Sequence, residues 1–446
     1  MLPSSLSQIA PFVQGVATRD ATISGIAIDS RKVAVGDLFV ALQAERDGHE
    51  YIRNAAEMGA SGALVSKSTD LLPSIRVDNT EHALTNLARE IRNSYDGLVF
   101  ALTGSQGKTS TRGFLASILE KMAIDRGENE ILVTQGNLNN QLGVPLTMAR
   151  LRPHHPFALF ELGASAVGDI DHLASIVQPR ISALLNARAA HLEGFGSIDG
   201  VVQGKGEIID HTALDGMVIL NQDEPSFGQW RTRAQSREII SFGQNNADVT
   251  WSARSAQDLT LSYQDRVIHA RLATLGTHFM ENAAAASAMA IAAGANDDHI
   301  RLGLEEASIE PGRMTPIALP DCLLIDDTYN ASPQAVRAAI DWLSSQSGVR
   351  ILVMGGLSEL GQSADSEMQA LGQYARAKGL DRVVTTGTAQ SIAEGFGSNA
   401  LYFQAHDEVS DYLMQQAGDA DVVLVKGSRS AQMDRVIRAL KQQGGL

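Results

Sequence analysis

The sequence predicts an α/β protein of three domains, and three observations carry that prediction. The chain has 446 residues, enough for about three domains at roughly 150 residues each. From Leu98 onward its apolar runs are unalternated, of strand length and separated by helical stretches, the pattern of a mostly parallel sheet covered on both faces. Polar or glycine-rich residues follow these runs at the carboxyl ends of the strands, where ligands bind in open α/β sheets.

The elements follow in chain order. Gly25–Ile28, Leu38–Leu42 and Ala63–Val65, with a helical stretch at Ile52–Met58, predict a small α/β unit over residues 1–82. Asp78-Asn79-Thr80 caps a helix over Glu81–Asn93 that leads into a second unit, 83–313. Its strands are Leu98–Leu102, Ile131–Val133, Phe157–Phe160, Ile181–Leu185 and Met217–Leu220. Their exits, Thr103-Gly104-Ser105, Thr134–Asn137, Glu161, Asn186 and Asn221-Gln222-Asp223, point at one rim. Trp251–Leu272 reads as a hairpin or sheet extension, Phe279–Ala293 as an alanine-rich helix stopped by Gly294, and Pro311-Gly312-Arg313 as an interdomain turn. A third α/β pattern, 314–446, has runs at Leu323–Ile325, Ile351–Val353, Val383-Val384 and Val422–Val425. Their exits are Asp326-Asp327, Gly355-Gly356, Thr386-Gly387 and Lys426-Gly427-Ser428.

Composition excludes several classes. With 44% hydrophobic and 20% charged residues the chain is not globally disordered. Its 36 Lys and Arg against 51 Asp and Glu give a net charge of −15, so nucleic acid and anionic membranes are not expected partners, and an anionic ligand needs local positive groups. Cys322 is the single cysteine, which excludes an intramolecular disulfide and a cysteine-based zinc site and sets a cytoplasmic location as the default. The first charge is Arg19, so no basic secretory leader is expected. Ala283–Ala293 is well short of the roughly 20 residues of a membrane helix and reads as a buried soluble one.

Gly104-Ser105-Gln106-Gly107-Lys108-Thr109 follows a predicted strand and opens a predicted helix, Thr109–Met122, the context a phosphate-binding loop requires. Glycines let backbone N–H groups converge on phosphate oxygens, the helix start adds partial positive charge, Lys108 adds a full one, and the Thr109 hydroxyl is placed for Mg²⁺. Such a loop serves a kinase, a GTPase-like switch, an ATP-driven ligase or a nucleotide-binding module equally well.

Four further segments narrow the choice: Thr134–Thr147 (TQGNLNNQLGVPLT), Glu161–Ala164 (ELGA), Ala190–Ser197 (AHLEGFGS) and Asp326–Pro333 (DDTYNASP). Together with the phosphate loop they closely resemble the Mur ligases of peptidoglycan synthesis, over essentially the whole chain. The resemblance implies a small N-terminal substrate domain, a central parallel-sheet P-loop ATPase domain and a Rossmann-like C-terminal ligase domain. It also implies an ADP-forming ligase that joins D-alanyl-D-alanine to UDP-N-acetylmuramoyl-tripeptide through an acyl phosphate. The expected cofactors are ATP and Mg²⁺, and the expected state is a cytoplasmic monomer. A Mur ligase that adds a single amino acid, a folylpolyglutamate synthetase and a nucleotide-gated binding protein without chemistry are the alternatives.

The residue roles also come from the resemblance. Lys108, Glu161, His191 and Lys205 are the catalytic set; Thr109, Glu161, His191 and Lys205 hold magnesium. A protonated lysine has no lone pair to ligate a cation, and the resemblance matches Lys205 to a carbamoylated, hence anionic, lysine. Gly104 to Ser110 (including Ser105, Gln106 and Gly107), Asn282, Arg313 and Asp327 are expected at ATP, with His278 one helical turn before Asn282. Asp29-Ser30-Arg31 and Asp47-Gly48-His49 are expected at the UDP end of the substrate, Asn137 and Asn140 at its sugar or peptide, and Tyr329 and Asn330 near the dipeptide. Lys426 and Arg429 are candidates for its carboxylate or an ATP phosphate.

Overall fold

A computed structural model describes residues 5–189, 192–308, 311–319, 322–358, 360–416 and 420–443. The chain forms two compact units. One comprises Met1–Ser252, Leu259–Ala270 and Met280–Ala307; the other comprises Ala253–Asp258, Arg271–Phe279 and Ser308–Leu446.

The first unit holds two sheets. The N-terminal one has β1 (Val16–Ala17), β2 (Gly25–Ala27), β3 (Asp37–Val40), β4 (Gly62–Val65) and β5 (Ser74–Arg76) in the order β1-β5-β4-β3-β2. All its pairs are parallel except β1 with β5. The helix Thr80–Asn93 starts where expected, because Asn79 accepts hydrogen bonds from the free amides of Glu81 and His82. Its buried face, Ala83, Leu84, Leu87, Ala88 and Ile91, shares one apolar core with Leu38 and Leu64 of the first sheet and Val99 and Phe160 of the second. That shared core makes the two sheets one unit, and the expected junction at residue 82 lies within this helix.

The second sheet contains β6 (Leu98–Thr103), β7 (Leu132–Val133), β8 (Phe157–Glu161), β9 (Ile181–Leu184), β10 (Met217–Asn221), β11 (Glu238–Gly243), β12 (Val249–Ala253), β13 (Asp258–Tyr263) and β14 (Arg266–Arg271). Their order is β14-β13-β12-β11-β10-β9-β6-β8-β7, and β6 runs parallel to both β8 and β9. The exits of β8, β6, β9 and β10 therefore lie side by side along one edge. Every residue of β8 is buried, as the unalternated run requires. The expected hairpin at Trp251–Leu272 is β12 to β14; β11 has no counterpart among the expected strands.

The second unit carries β15 (Thr315–Ala318), β16 (Leu323–Asp327), β17 (Arg350–Met354), β18 (Arg382–Thr386), β19 (Ala400–Phe403) and β20 (Val422–Lys426), in the order β15-β16-β20-β17-β18-β19. The expected runs are its four central strands, all parallel. The edges β15, antiparallel to β16, and β19 are additions. Asp326 and Asp327 belong to β16 itself rather than to its exit, and Lys426 is the last residue of β20.

Candidate active site

The loop between β6 and the helix Lys108–Asp125 is held from the neighbouring β9 exit. Asn186 accepts from the Gln106 amide at 2.9 Å, donates to the Gln106 carbonyl at 3.1 Å, and its carbonyl accepts from Ser105 N–H at 3.1 Å. Ser105 Oγ donates to the Arg188 carbonyl and accepts from the Arg188 amide. Gly107 sits at φ +81°, a left-handed conformation that glycine adopts without strain. A Cβ there would stand 2.2 Å from Asn282 Oδ1, so Gly107 also admits the buried Asn282 against the loop. Lys108 Nζ donates to the carbonyls of Gly104 (2.6 Å) and Ser105 (3.3 Å), which lays the ammonium over the loop. Ser110 is buried one residue beyond Thr109.

Glu161 ends β8 beside this loop and is 2% exposed. Its Oε1 accepts from Asn139 Nδ2 at 2.9 Å and from Thr109 Oγ1 at 3.3 Å, while its amide donates to Thr134 Oγ1. Oε2 lies 3.1 Å from Arg112 Nη1 yet accepts no hydrogen bond among the described residues. A buried carboxylate oxygen with an open lone pair, beside a threonine hydroxyl, is the all-oxygen donor chemistry that a hard divalent cation takes. The residues present fit Mg²⁺.

Lys205 lies in the helix Ile198–Asp210 and is 1% exposed. The side chain neither faces solvent nor pairs with Glu207. Both Glu207 oxygens accept from the amide of Gly168, and one also accepts from Asp171, which fixes that carboxylate at the start of the helix Asp169–Val177. Among the described residues Lys205 has no carboxylate at ion-pair distance. Its Nζ reaches the Ala164 carbonyl at 3.5 Å and sits 5.3 Å from the centre of the Phe195 ring. Gly204 makes room for that ring, since a Cβ there would stand 2.7 Å from it. Burial, reinforced by the nearby charge of Lys108, pulls the Lys205 pKa down from 10.5 to about 7. Much of this amine is therefore neutral near pH 7.

Lys108, Thr109, Glu161, Lys205 and Asn282 are thus gathered around one loop; His191 lies outside the described residues. Asn137 and Asn140 lie on the loop after β7. Asn140 Oδ1 is engaged by the Gly143 amide at the start of the helix Gly143–Ala149. Arg112, Asn139 and Asn186 touch the site although none is an expected site residue. Arg112 and Asn139 carried a signal: one stands three residues after Thr109 on a helix, where side chains share a face, and the other sits between two expected asparagines.

In the N-terminal sheet Ser30 is buried, and exposed Arg31 grips Asp29 with two 2.9 Å hydrogen bonds that hold the Asp29 carboxyl down at about 2. His49 Nδ1 donates to Asp47 at 2.6 Å while its Nε2 accepts from the Ser66 amide, which fixes the ring's tautomer. Lys67 and His49 together hold the Asp47 carboxyl well below the usual carboxylate range.

The second unit gathers its own polar cluster. Lys426 Nζ donates to Asp327 Oδ2 at 2.6 Å and to the Asn330 carbonyl at 3.0 Å, and Asp327 Oδ1 accepts from the Met314 amide. The guanidinium of Arg313 lies 4.0 Å from the Tyr329 ring centre and that of Arg429 5.7 Å. The Asn330 side chain accepts from the amides of Ala331 and Arg429.

Three family descriptions match successive parts of the chain: "Mur ligase family, catalytic domain" over residues 22–92, "Mur ligase middle domain" over 102–290 and "Mur ligase, glutamate ligase domain" over 312–429. The chain is 37% identical to the UDP-N-acetylmuramoyl-tripeptide–D-alanyl-D-alanine ligase of Escherichia coli across 100% of both proteins. A crystal structure of MurF from Acinetobacter baumannii superposes with a TM-score of 0.89 at 35% identity, over 98% of both chains. MurF from Thermotoga maritima in complex with ADP gives 0.82 at 28%, over 94% of this chain and 98% of that one. A phosphate loop closed by Asn186, a β8 glutamate beside it and these full-length likenesses agree, and the chain belongs to the Mur ligase family.

Proposed function

We propose that this chain joins D-alanyl-D-alanine to UDP-N-acetylmuramoyl-tripeptide at the expense of ATP, producing the pentapeptide precursor, ADP and phosphate. The observation that carries the reading is the gathering of Lys108, Thr109, Glu161 and the buried Lys205 at the adjoining exits of β6 and β8. Full-length likeness to ligases named for that reaction supplies the substrates.

In the first step a carboxylate oxygen of the tripeptide attacks the γ-phosphorus and ADP leaves, giving an acyl phosphate. In the second the dipeptide amine adds to the acyl carbon, and the tetrahedral intermediate expels phosphate. The first step brings two anions together, so its barrier falls with positive charge gathered at the γ-phosphate. The amides that open the helix, from Gly107 to Ser110, hold the phosphates, whereas those of Ser105 and Gln106 are taken by Asn186 and brace the loop, and Lys108 shields the approaching oxygen anion. Thr109 and Glu161 would hold Mg²⁺, together with His191 and Lys205; the cation, when bound, neutralises phosphate charge. Asn282, beside Gly107, is assigned to the nucleotide.

Lys205 serves as a carbamate. Its neutral amine adds to the carbon of CO₂, one proton leaves the nitrogen, and the neutral side chain becomes a carboxylate-like anion. An ammonium buried without an anionic partner is costly, so the fold favours the uncharged precursor. Arg313 and Asp327 are assigned to ATP, Tyr329 and Asn330 to the dipeptide, and Ser30, Arg31, Asn137 and Asn140 to the UDP-muramoyl substrate. We propose functional divisions at 1–82, 83–313 and 314–446, and a cytoplasmic monomer. No helix of the described residues is long and apolar enough to cross a membrane.

A phosphate-release assay with UDP-N-acetylmuramoyl-tripeptide tests the assignment. Turnover with D-alanyl-D-alanine and none with single amino acids is expected; turnover only with a single amino acid assigns a different ligase of the family.

A further inference from the structure

Arg112 is a buried cation inside a site whose task is to receive another cation. It stands three residues after Thr109 on the helix Lys108–Asp125, so these two side chains share a face, and both reach Glu161 at the end of β8. Its side chain is 6% exposed and that of Glu161 3%. Nη1 donates to the Gly136 carbonyl at 2.9 Å while standing 3.1 Å from Glu161 Oε2. The guanidinium thus balances the buried carboxylate's charge without taking up the oxygen, which accepts no hydrogen bond among the described residues. The other oxygen is satisfied by Asn139 and Thr109.

We propose that Arg112 is a positioning residue that makes cation binding at Glu161 depend on the nucleotide; the proposal rests on Glu161 being a cation ligand. A bare divalent cation reaching Oε2 meets a guanidinium about one ion-pair distance away in a poorly hydrated site, where like charges repel strongly. A triphosphate arriving with the cation brings several negative charges and offsets that repulsion. Arg112 therefore keeps Glu161 oriented between turnovers while denying the site to the free cation. The bond to Gly136 fixes the guanidinium in place and ties it to the loop that carries Asn137, Asn139 and Asn140.

The test is Mn²⁺ binding, by calorimetry or electron paramagnetic resonance, to the wild type, Arg112→Met, Arg112→Lys and Glu161→Gln, each with and without a non-hydrolysable ATP analogue. Without nucleotide, Arg112→Met should bind Mn²⁺ at least about tenfold more tightly than the wild type, since removing a unit charge a few ångströms away is worth more than that at protein-like dielectric. Arg112→Lys should behave as the wild type, and adding Glu161→Gln to Arg112→Met should abolish the gain. A purely structural arginine would give a loss, never a gain, of metal binding. If Arg112→Met fails to fold, Arg112→Gln, neutral and able to donate to Gly136, takes its place under the same expectation. A folded neutral variant that binds Mn²⁺ no better than the wild type overturns the proposal, as does a gain that survives Glu161→Gln. Nucleotide-dependent Mn²⁺ binding that is intact in Glu161→Gln alone removes Glu161 as a ligand, and both readings fall. Loss of that binding, with no gain in Arg112→Met, removes the Arg112 inference alone.

Discussion

Two buried lysines in this chain are treated in opposite ways. Lys426, 3% exposed, ends β20 and is locked to Asp327 at 2.6 Å and to a backbone carbonyl, so its charge is compensated. Lys205, 1% exposed, has the Ala164 carbonyl at 3.5 Å and the face of Phe195, while the acids nearest in sequence and space, Glu207 and Asp169, are spent on backbone amides. The fold gives one amine an anionic partner and leaves the other without one among the described residues, its pKa pulled down by burial. Burial alone therefore does not decide a lysine's chemistry; the commitments of neighbouring carboxylates do.

Substituting each lysine separates the two. Lys205→Met should lower turnover by on the order of a thousandfold, the scale of removing a preorganised electrostatic contact, as measured by phosphate release, and bicarbonate should not restore it. Lys426→Met should instead act on stability, by about 3–5 kcal/mol in denaturant unfolding, because it strands the buried Asp327 carboxylate. If Lys205→Met unfolds the protein and Lys426→Met does not, the contrast is reversed.

The pH dependence sharpens the same contrast. With a folded pKa of about 7 against 10.5 unfolded, Lys205 binds its proton more weakly in the native state. Stability then rises with pH between those values and carries the full penalty below them. In CO₂-free buffer Lys205→Met should raise Tm most at pH 6, with the gain shrinking toward pH 10; a gain independent of pH would contradict the assignment of a buried, partnerless amine. Smaller still is Gly107→Ala, which pairs a left-handed backbone with a clash against Asn282. It should weaken ATP binding by roughly tenfold at a stability cost of about 1–3 kcal/mol, read by nucleotide titration and melting. Arg31→Ala, on a side chain 83% exposed, should leave the melting temperature unchanged and raise only the KM for the nucleotide-sugar substrate.

What could be read from the sequence follows from how locally each feature is encoded. The phosphate loop is contiguous and its strand and helix follow from apolar runs, so Gly104 to Thr109 were legible, as was Glu161 at the end of an unbroken apolar strand. Strands whose last residue is polar, such as β6 at Thr103 and β10 at Asn221, extend beyond the apolar run that announces them. The edge strands β15 and β19 are partly exposed; β15 has only Ile317 and Ala318 after a threonine and a proline, whereas β19, Ala400–Phe403, is an apolar run not among the expected strands. The helical spacing of Arg112 from Thr109 and the place of Asn186 at a strand exit were legible, but their contacts with Glu161 and the phosphate loop were not, because these depend on side-chain direction and on which strands become neighbours. The commitment of Glu207 to the amides of Gly168 and Asp171 is likewise a tertiary fact. It leaves Lys205 with no carboxylate at ion-pair distance among the described residues.

The central claim is phosphoryl transfer from ATP to the peptide carboxylate at the Lys108–Glu161–Lys205 site, and following an oxygen label tests it directly. With UDP-N-acetylmuramoyl-tripeptide labelled by ¹⁸O in its terminal carboxylate, D-alanyl-D-alanine and ATP, mass spectrometry of the released phosphate should find one labelled oxygen in each, delivered through the acyl phosphate. Phosphate free of label, formed while the peptide bond is made, would contradict the account.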